Sequence, residues 1–385
     1  MKPKTFFTWS AVALALLLLG FGGWLFSLPP ASVVSAPPVP ESEMAAMLTA
    51  LQPPKRARPL VAVVGINDAT ETNDYLMPAG ILRRAGVADV LLLATSAGPV
   101  KLYPALTVLP DVTLAEFDQQ HPKGADYVIV PAMSRDDDPT VLAWLRRQAA
   151  GGATIIAVCA GAKVAAAAGL LDGRRATTHW YYVKDLLKRH PSIDYVPDRR
   201  MVVDRGVATT TGITAAMPMT LTLIQAIAGR AKAEDVAHQL GLASWDARHD
   251  SSAFRFTRPF ATTVLENKLA FWNHETMGIA LRPGMDEVTL GLVADAWSRT
   301  YRSSAVTFAA SAQPVKTRGG LRIVPDQAAA NWPPDRQAGM FPDRGPVGAL
   351  NQTLLALAAR YGESTSDVVR MQLEYPVAKP AATGL

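Results

Sequence analysis

One residue of the chain combines a reactive side chain with a position that could activate it. Cys159 is the only cysteine, and it stands between a β-rich apolar run at 154–158 and a helix-forming run that begins at Gly161. A nucleophile on a sharp strand-to-helix turn is typical of hydrolases. Free amides and the positive end of a helix dipole should lower the pKa of a thiol there. A free cysteine can equally be a small buried core residue, and the spacing alone leaves both interpretations open.

A histidine follows twenty residues after this turn, in the run Thr177, Thr178, His179. The β-branched pair would end a strand at the same edge of the sheet. His179 could there take a proton from the thiol or from an attacking water. The amide of Ala160 is expected to point at an oxyanion formed on a bound carbonyl.

The elements that must position these residues alternate between strand and helix. Continuous apolar runs at 60–66, 90–94, 127–131 and 154–158 predict buried strands, and helical patterns lie between them at 75–85, 139–149 and 161–170. A hairpin is predicted over 200–211. This alternation indicates an α/β fold with a doubly wound, mostly parallel sheet, a flavodoxin-like three-layer sandwich over residues 59–242. Its ligand site should lie beyond the carboxyl ends of the strands.

Three motifs in this order resemble the PfpI/ThiJ (DJ-1-like) family of the class I glutamine amidotransferase-like superfamily. They are the cysteine turn at 158–161, the Thr-Thr-His run at 177–179, and a helix with an acidic residue at 74–86. The stretch 170–180 is most similar to the amidase-like domain at the front of AraC-type regulators. No helix-turn-helix pair follows, so the DNA-binding half of that architecture is expected to be missing.

The resemblance implies a set of site residues. Cys159 matches the family nucleophile, Asp74 matches the acid that hydrogen-bonds its sulfur, and His179 matches the family histidine. Ala132 and Met133 match a backbone turn that helps to form the oxyanion hole with Ala160. The usual third partner of the histidine is not identifiable, and Glu71 is a weaker candidate acid. No metal or cofactor is expected.

A partial internal repeat follows the predicted domain. Residues 79–111 recur at an offset of 215 with eleven identities in 33 positions, among them Arg84 and Arg299, and a weaker match continues at an offset of 130. Residues 243–385 are therefore interpreted as a truncated second copy packed on the first. Thr289 stands where Asp74 would be, so this copy should lack the chemistry. The alternative to an internal duplication is that the two segments are similar only because both are rich in alanine.

The N-terminal region predicts a membrane anchor. Residues 6–28 carry no charge, Lys2 and Lys4 precede them, and the run is long enough to span a bilayer. Residues 1–28 are predicted as a transmembrane helix in the inner membrane, with the body facing the periplasm; a cleaved signal peptide is the alternative. The Pro-rich residues 29–58 are predicted as a spacer, with a short helix possible at 41–51.

The charge of the chain argues against one class of partner. The formal charge is +5, and Lys2 and Lys4 account for two of these charges, which leaves +3 on the rest and gives no case for a nucleic-acid partner. We expect a cysteine-dependent hydrolase or lyase acting on a small electrophilic carbonyl or amide-type substrate. The alternative is a non-catalytic redox or ligand-sensing module, and a homodimer is possible.

Overall fold

The computed structural model describes residues 3–30 and 37–376. Lys2, part of the predicted spacer and the last nine residues therefore lie outside the described residues. The chain begins with helix α1 (Pro3–Ser27). Arg258 holds the end of this helix, because its guanidinium donates hydrogen bonds to the carbonyls of Leu25 and Phe26. The last carbonyls of a helix lack the usual intrahelical partner, and Arg258 supplies donors here in addition to the Leu28 amide, which donates to the Leu25 carbonyl at 3.3 Å.

The structure does not support the predicted membrane anchor. Within residues 3–30 and 37–376, no helix is both long and apolar enough to cross a membrane. The periplasmic location stays a prediction.

The predicted spacer is a packed part of the protein from residue 41 onward. Helix α2 (Glu41–Ala50) buries Met47, and the following Leu51 is fully buried. The hydroxyl of Tyr127 donates to the Leu51 carbonyl at 2.7 Å. Glu43 forms an ion pair with Arg199 at 2.9 Å. The prediction of a bare spacer is therefore wrong here, because this short helix has apolar residues that the body can cover.

The main domain, residues 59–242, carries the predicted alternation of strands and helices. Its strands are β1 (Leu60–Gly65), β2 (Asp68–Glu71), β3 (Asp89–Ala94), β4 (Val100–Tyr103), β5 (Thr107–Leu109), β6 (Val112–Thr113), β7 (Tyr127–Val130), β8 (Thr154–Ala157), β9 (Arg175–Ala176), β10 (Asp194–Tyr195), β11 (Met201–Asp204) and β12 (Val207–Thr210). Its helices are α3 (Thr72–Ala85), α4 (Leu114–Gln120), α5 (Pro139–Ala150), α6 (Gly161–Ala167), α7 (Val183–Arg189), α8 (Ala216–Ala228) and α9 (Arg230–Leu240).

The central sheet has seven strands in the order β11-β12-β8-β7-β1-β3-β6. All neighbours are parallel except the β11–β12 hairpin, which is antiparallel as predicted. Two apolar clusters pack on the sheet, one including α3 and α8 and the other α5 and α6. The prediction of a doubly wound α/β domain is confirmed, and the carboxyl ends of β7, β8 and β12 meet at one edge.

The C-terminal segment, residues 243–376, also contains both helices and strands. It contains α10 (Arg258–Leu269), β13 (Glu275–Ala280), α11 (Glu287–Ser298), β14 (Ser303–Ala309), β15 (Val315–Lys316), β16 (Arg322–Val324), β17 (Gln327–Ala328), α12 (Pro346–Tyr361) and α13 (Glu363–Leu373). Strands β13, β16 and β17 lie 215 residues after β1, β5 and β6 with identical lengths. Helix α12 begins 130 residues after α8.

One sheet joins the two parts of the chain, in the order β15-β16-β5-β4-β2. Strands β5 and β16 pair antiparallel, with Leu109 opposite Arg322, Val108 opposite Ile323, and Thr107 opposite Val324. The central pair, Val108 and Ile323, is 215 residues apart, which is the offset of the repeat predicted from the sequence. That is the geometry of an interface with a local two-fold axis.

Candidate active site

Cys159 lies on a strained turn at the carboxyl end of β8. Its backbone φ is 56°, a left-handed conformation that costs a non-glycine residue energy and recurs at functional sites. Its amide donates to Thr210 Oγ1 at 3.1 Å and its carbonyl accepts from Thr178 Oγ1 at 3.0 Å. A Cβ on Gly161 would overlap the Val130 carbonyl, so glycine lets α6 start directly against β7. The chain therefore forms the expected strand-to-helix elbow.

The environment of the thiol differs from the one that was expected. Cys159 is only 4% exposed. Burial raises its pKa well above the ordinary value, and the nearby charges of Asp74 and Glu71 raise it further. The Ala160 amide donates to the sulfur and opposes this shift, but it is outweighed. The prediction of a lowered thiol pKa is wrong, because desolvation and carboxylates dominate over one seven-residue helix.

Glu71 and Asp74 form a buried carboxyl pair beside the elbow. Asp74 Oδ2 accepts from the Ala132 amide at 3.1 Å, whereas Asp74 Oδ1 is buried without a hydrogen-bond partner among the described residues. The predicted hydrogen bond from Asp74 to the sulfur is therefore not formed. Glu71 Oε2 accepts from the Asp74 amide at 2.6 Å and caps α3, so Glu71 is a buried site residue rather than a solvated one.

The two carboxyls share one buried site, so the protonation of each affects the other. Burial raises the pKa of Glu71, and it raises the pKa of Asp74 to about 7. Both oxygens of Glu71 accept hydrogen bonds, from Arg299 and from the Asp74 amide, which favours its ionised form. Because Asp74 Oδ1 has no such donor, a proton shared by the pair is best held on Asp74. Asp74 can therefore act as an acid next to Cys159.

The turn after β7 lies where the oxyanion donors were expected. Ala132 donates its amide to Asp74, so that amide is already engaged. Met133 bridges Thr70 and lies beside the same turn. The amide of Ala160 points at the sulfur. The turn therefore holds Asp74 in place, and of these three amides only that of Met133 is left for contact with a substrate.

His179 is close to the elbow through Thr178, but neither of its ring nitrogens is free. Nδ1 accepts from the Tyr181 amide at 3.2 Å, and Nε2 lies 2.9 Å from the carbonyl of Gln372, so Nε2 carries the proton and donates it there. Burial lowers the His179 pKa to about 4, which keeps the ring neutral. The predicted role as base or acid for Cys159 is therefore wrong for this geometry; the ring anchors the C-terminal segment instead.

Glu374 is a site residue that the sequence did not indicate. It follows α13 with a left-handed backbone, φ 48°, and is 3% exposed. Its carboxylate accepts from the amides of Trp180 at 2.6 Å and Gly212 at 2.7 Å, and it lies 3.4 Å from His249 Nε2. Burial raises its pKa to about 7. Nothing in the run around residue 374 distinguishes this glutamate from a surface residue.

Arg299 is the second residue that the C-terminal segment brings to the site. Its guanidinium donates to Glu71 Oε1 at 2.8 Å and to Asp295 Oδ1 at 2.6 Å. Asp295 Oδ2 in turn accepts from Asn73 at 2.7 Å. The three carboxyls of Glu71, Asp74 and Asp295 thus surround one buried cation. Arg299 was visible in the sequence only as the repeat partner of Arg84.

Four tyrosines lie around this cluster. Tyr103 is 60% exposed and Tyr181 56% exposed, whereas Tyr182 and Tyr301 are partly buried. The charge of Cys159 helps to raise the Tyr182 pKa to about 12, after burial. Tyr103 and Tyr181 are near enough to Tyr301 to raise its pKa. Two of the four side chains are thus exposed to solvent, and three of the four come from the main domain.

Comparisons with known proteins cover this same part of the chain. Isonitrile hydratase of Pseudomonas putida is 43% identical over 105 residues, which are 27% of this chain and 44% of the relative, so the match spans less than half of that enzyme. The HTH-type transcriptional regulator CdhR of Pseudomonas aeruginosa is 31% identical over 162 residues, 41% of this chain and 46% of the relative.

Solved structures give a similar picture. Drosophila melanogaster DJ-1beta is 27% identical over 49% of this chain and all of its own, with a TM-score of 0.44. A DJ-1 superfamily protein from Salmonella typhimurium is 28% identical over 48% of this chain and all of its own, with a TM-score of 0.43. Residues 61–226 match the DJ-1/PfpI family. This part of the chain, which holds the cysteine elbow and the carboxyl pair, is therefore a DJ-1/PfpI family domain.

Proposed function

We propose that Cys159 is the nucleophile of a reaction that adds water to a small, neutral, electrophilic carbon. The observation that carries the proposal is the pairing of a thiol on a strained elbow with a carboxyl, Asp74, that holds a proton near neutral pH. A thiol with a raised pKa attacks best when its proton is transferred as the carbon–sulfur bond forms. Two observations support Asp74 as the group that moves that proton: its charge acts on Cys159, and its Oδ1 has no hydrogen-bond partner among the described residues.

Isonitriles are the substrate class to test first, because isonitrile hydratase shares 43% identity over 105 residues. The carbon of R–N≡C must accept a nucleophile and a proton. In the first step the sulfur of Cys159 bonds to this carbon, and the thiol proton reaches the same carbon through Asp74. The product is the thioimidate R–N=CH–S–Cys159. Water then adds to that carbon, the carbon–sulfur bond breaks, and the thiol regains a proton, which leaves the formamide R–NH–CHO.

The site favours such a substrate on electrostatic grounds. Three buried carboxyls and one guanidinium leave no free positive charge for an anionic substrate. The Met133 amide remains to stabilise negative charge on the reacting group, and the Ala160 amide stabilises negative charge on the sulfur. A carbonyl or amide carbon of similar size could be attacked in the same way.

The test uses the purified full chain and cyclohexyl isonitrile. We expect the wild type to release N-cyclohexylformamide, measured by mass spectrometry, and a protein adduct with the mass of one isonitrile to be trapped by acid quench. Cys159→Ala should show only the spontaneous rate. Because Cys159 is the only cysteine, the adduct can be assigned to it. Wild-type turnover in Cys159→Ala would reject the nucleophile.

The alternative of a redox sensor has weaker support. A sensor cysteine needs an exposed thiolate, whereas Cys159 is 4% exposed with a raised pKa. Exposure to mild peroxide followed by intact-mass measurement separates the two hypotheses. Stoichiometric oxidation at Cys159 without turnover of any electrophile would favour sensing.

We also infer that residues 243–385 include a truncated second copy of the domain. The equal offset of three strand pairs and of the helix starts Thr72 and Glu287 supports this inference. The segment has no cysteine, and Thr289 lies at the position equivalent to Asp74. The second copy therefore takes the position that a partner subunit would occupy, and a further homodimer, if formed, needs another surface.

A further inference from the structure

The contact between α3 and α11 contains two ion pairs related by the 215-residue offset. Arg299 pairs with Glu71, and Arg84 pairs with Asp286. The acids also have the same second contact, because Glu71 accepts from the Asp74 amide and Asp286 accepts from the Thr289 amide. Each acid therefore caps its own helix and binds an arginine of the other.

The two ion pairs differ in the residue three positions after the acid. Glu71 is followed by the buried carboxyl of Asp74 and then by Cys159, whereas Asp286 is followed by Thr289, which has no charge. Only the Arg299 pair is thus connected to the reactive thiol. Both ion pairs join α3 to α11, but only the pair of Arg299 with Glu71 also contacts the site.

Arg299 is also held more firmly than an interface contact requires. Its side chain is 12% exposed and binds both Glu71 and Asp295. The Gln372 amide donates to the Arg299 carbonyl at 2.8 Å, and Gln372 is the residue whose own carbonyl binds His179. The guanidinium is therefore fixed by Glu71 at the end of β2 and by Asp295 of α11, and α13 holds the backbone of the same residue.

We propose that Arg299 is a positioning residue for Cys159: it keeps Glu71 ionised against the Asp74 amide, so that the exchangeable proton of the pair stays on Asp74. This rests on the proposed function, in which Asp74 transfers the thiol proton. The C-terminal segment then completes the active site, which neither part of the chain contains alone.

The titratable groups around Asp74 set the direction of the test. They are Glu71 on β2, Cys159 at the elbow, and Asp295 and Arg299 from the C-terminal segment; Glu374 and Tyr182 also act on Cys159. The charge of Arg299 lowers the pKa of both Glu71 and Asp74. Removing it should therefore move the titration of the pair to higher pH.

The experiment measures the rate at which iodoacetamide alkylates Cys159 between pH 5.5 and 9.5, by intact mass. The chain has no other cysteine, so every adduct reports this thiol. In the wild type, the plot of alkylation rate against pH should show an inflection near pH 7 from the carboxyl pair, at lower pH than the rise caused by ionisation of the thiol. Arg299→Met should move that inflection upward by about one pH unit, roughly a tenfold change in proton affinity. Arg299→Lys keeps the charge, so its inflection should lie close to that of the wild type.

Arg84→Met is the matched control. It breaks the equivalent ion pair in the same interface, so it should lower stability to a similar extent without moving the inflection. Equal shifts in Arg84→Met and Arg299→Met, or no shift in Arg299→Met, would overturn the proposal. If Arg299→Met does not fold, the comparison of Arg299→Gln with Arg84→Gln decides, because both remove the charge and only the former should change the profile. The alkylation rate is measured without a substrate. If only Arg299→Met shifts the inflection but the wild type does not convert isonitriles, the proposed reaction is rejected and the positioning role of Arg299 stands.

Discussion

The Trp180 amide donates a 2.6 Å hydrogen bond to the carboxylate of Glu374, and this contact ties the end of the chain to the loop that follows His179. The same carboxylate accepts from Gly212 at the end of β12. Glu374 thus connects the two loops whose threonines, Thr178 and Thr210, hold the backbone of Cys159. The C-terminal segment reaches the site at two places, here and at Arg299.

Glu374→Gln should remove a pH-dependent loss of stability. Burial raises the folded-state pKa of Glu374 to about 7, above the ordinary value of 4.5. The folded state therefore binds more protons than the unfolded state in this window, and stability falls as pH rises through it. The unfolding free energy of the variant, relative to wild type, should rise by about 1–3 kcal/mol between pH 4.5 and 8.

Urea unfolding at several pH values measures this difference. Glu363→Gln is the control, because Glu363 lies exposed at the start of the same helix. A difference between Glu374→Gln and wild type that stays constant with pH would contradict the raised pKa.

Sequence patterns were sufficient for the elbow but not for its surroundings. The strand before Cys159 and Gly161 after it are local signals, so the turn could be predicted within a few residues. The raised thiol pKa arises first from burial and then from the charges of Asp74, Glu71 and Glu374. Two of these acids lie more than eighty residues from Cys159 and one more than two hundred. The family motif indicated Asp74, whereas the burial of the thiol and the contact with Glu374 depend on how the chain packs around the elbow.

The His179 prediction failed for the same reason. A histidine after two threonines at a sheet edge is free to act as a base only if nothing covers it. Here α13 supplies the Gln372 carbonyl to Nε2. The repeat in the sequence was informative in a different way, because the pair Arg84 and Arg299 was among its identities, although its role in an ion pair needed the structure.

His179 should remain neutral throughout the pH range of activity. Its folded-state pKa is lowered to about 4 by burial, so stability is lost only as pH falls from about 6.5 toward 4. Histidine NMR signals from pH 5 to 8, with His179→Asn to assign the resonance, should show no titration of this ring. A midpoint near 6.5 for the assigned signal would mean that the ring is not buried as described.

Gly161→Ala should disrupt the elbow. The added Cβ would overlap the Val130 carbonyl, which belongs to a central strand and cannot move without breaking sheet contacts. We expect a loss of about 2–4 kcal/mol in the unfolding free energy, or no folded protein. Gly23→Ala in α1, where a Cβ meets nothing within 4 Å, is the control and should be neutral. A melting temperature for Gly161→Ala equal to that of wild type would be inconsistent with this packing.

Gly291 and Asn73 should show strong coupling. A Cβ on Gly291 would lie 2.5 Å from Asn73 Oδ1, and Asn73 cannot retreat without losing its hydrogen bond to Asp295. Gly291→Ala alone should therefore cost about 1–3 kcal/mol. In the Asn73→Ala background the same substitution should cost less, because the clash is gone. Additive effects in this double-mutant cycle, measured by urea unfolding, would show that α3 and α11 are farther apart.

Asp74→Asn should separate thiol reactivity from turnover. The charge of Asp74 raises the pKa of Cys159, so its removal should speed alkylation by iodoacetamide above pH 7, by roughly threefold or more. Turnover of an isonitrile should fall at least about a hundredfold, because an amide cannot transfer the thiol proton to carbon. Asp286→Asn, at the start of the equivalent helix, should change neither rate. If Asp74→Asn slows alkylation and turnover in parallel, Asp74 supports the structure of the site and does not act as its acid.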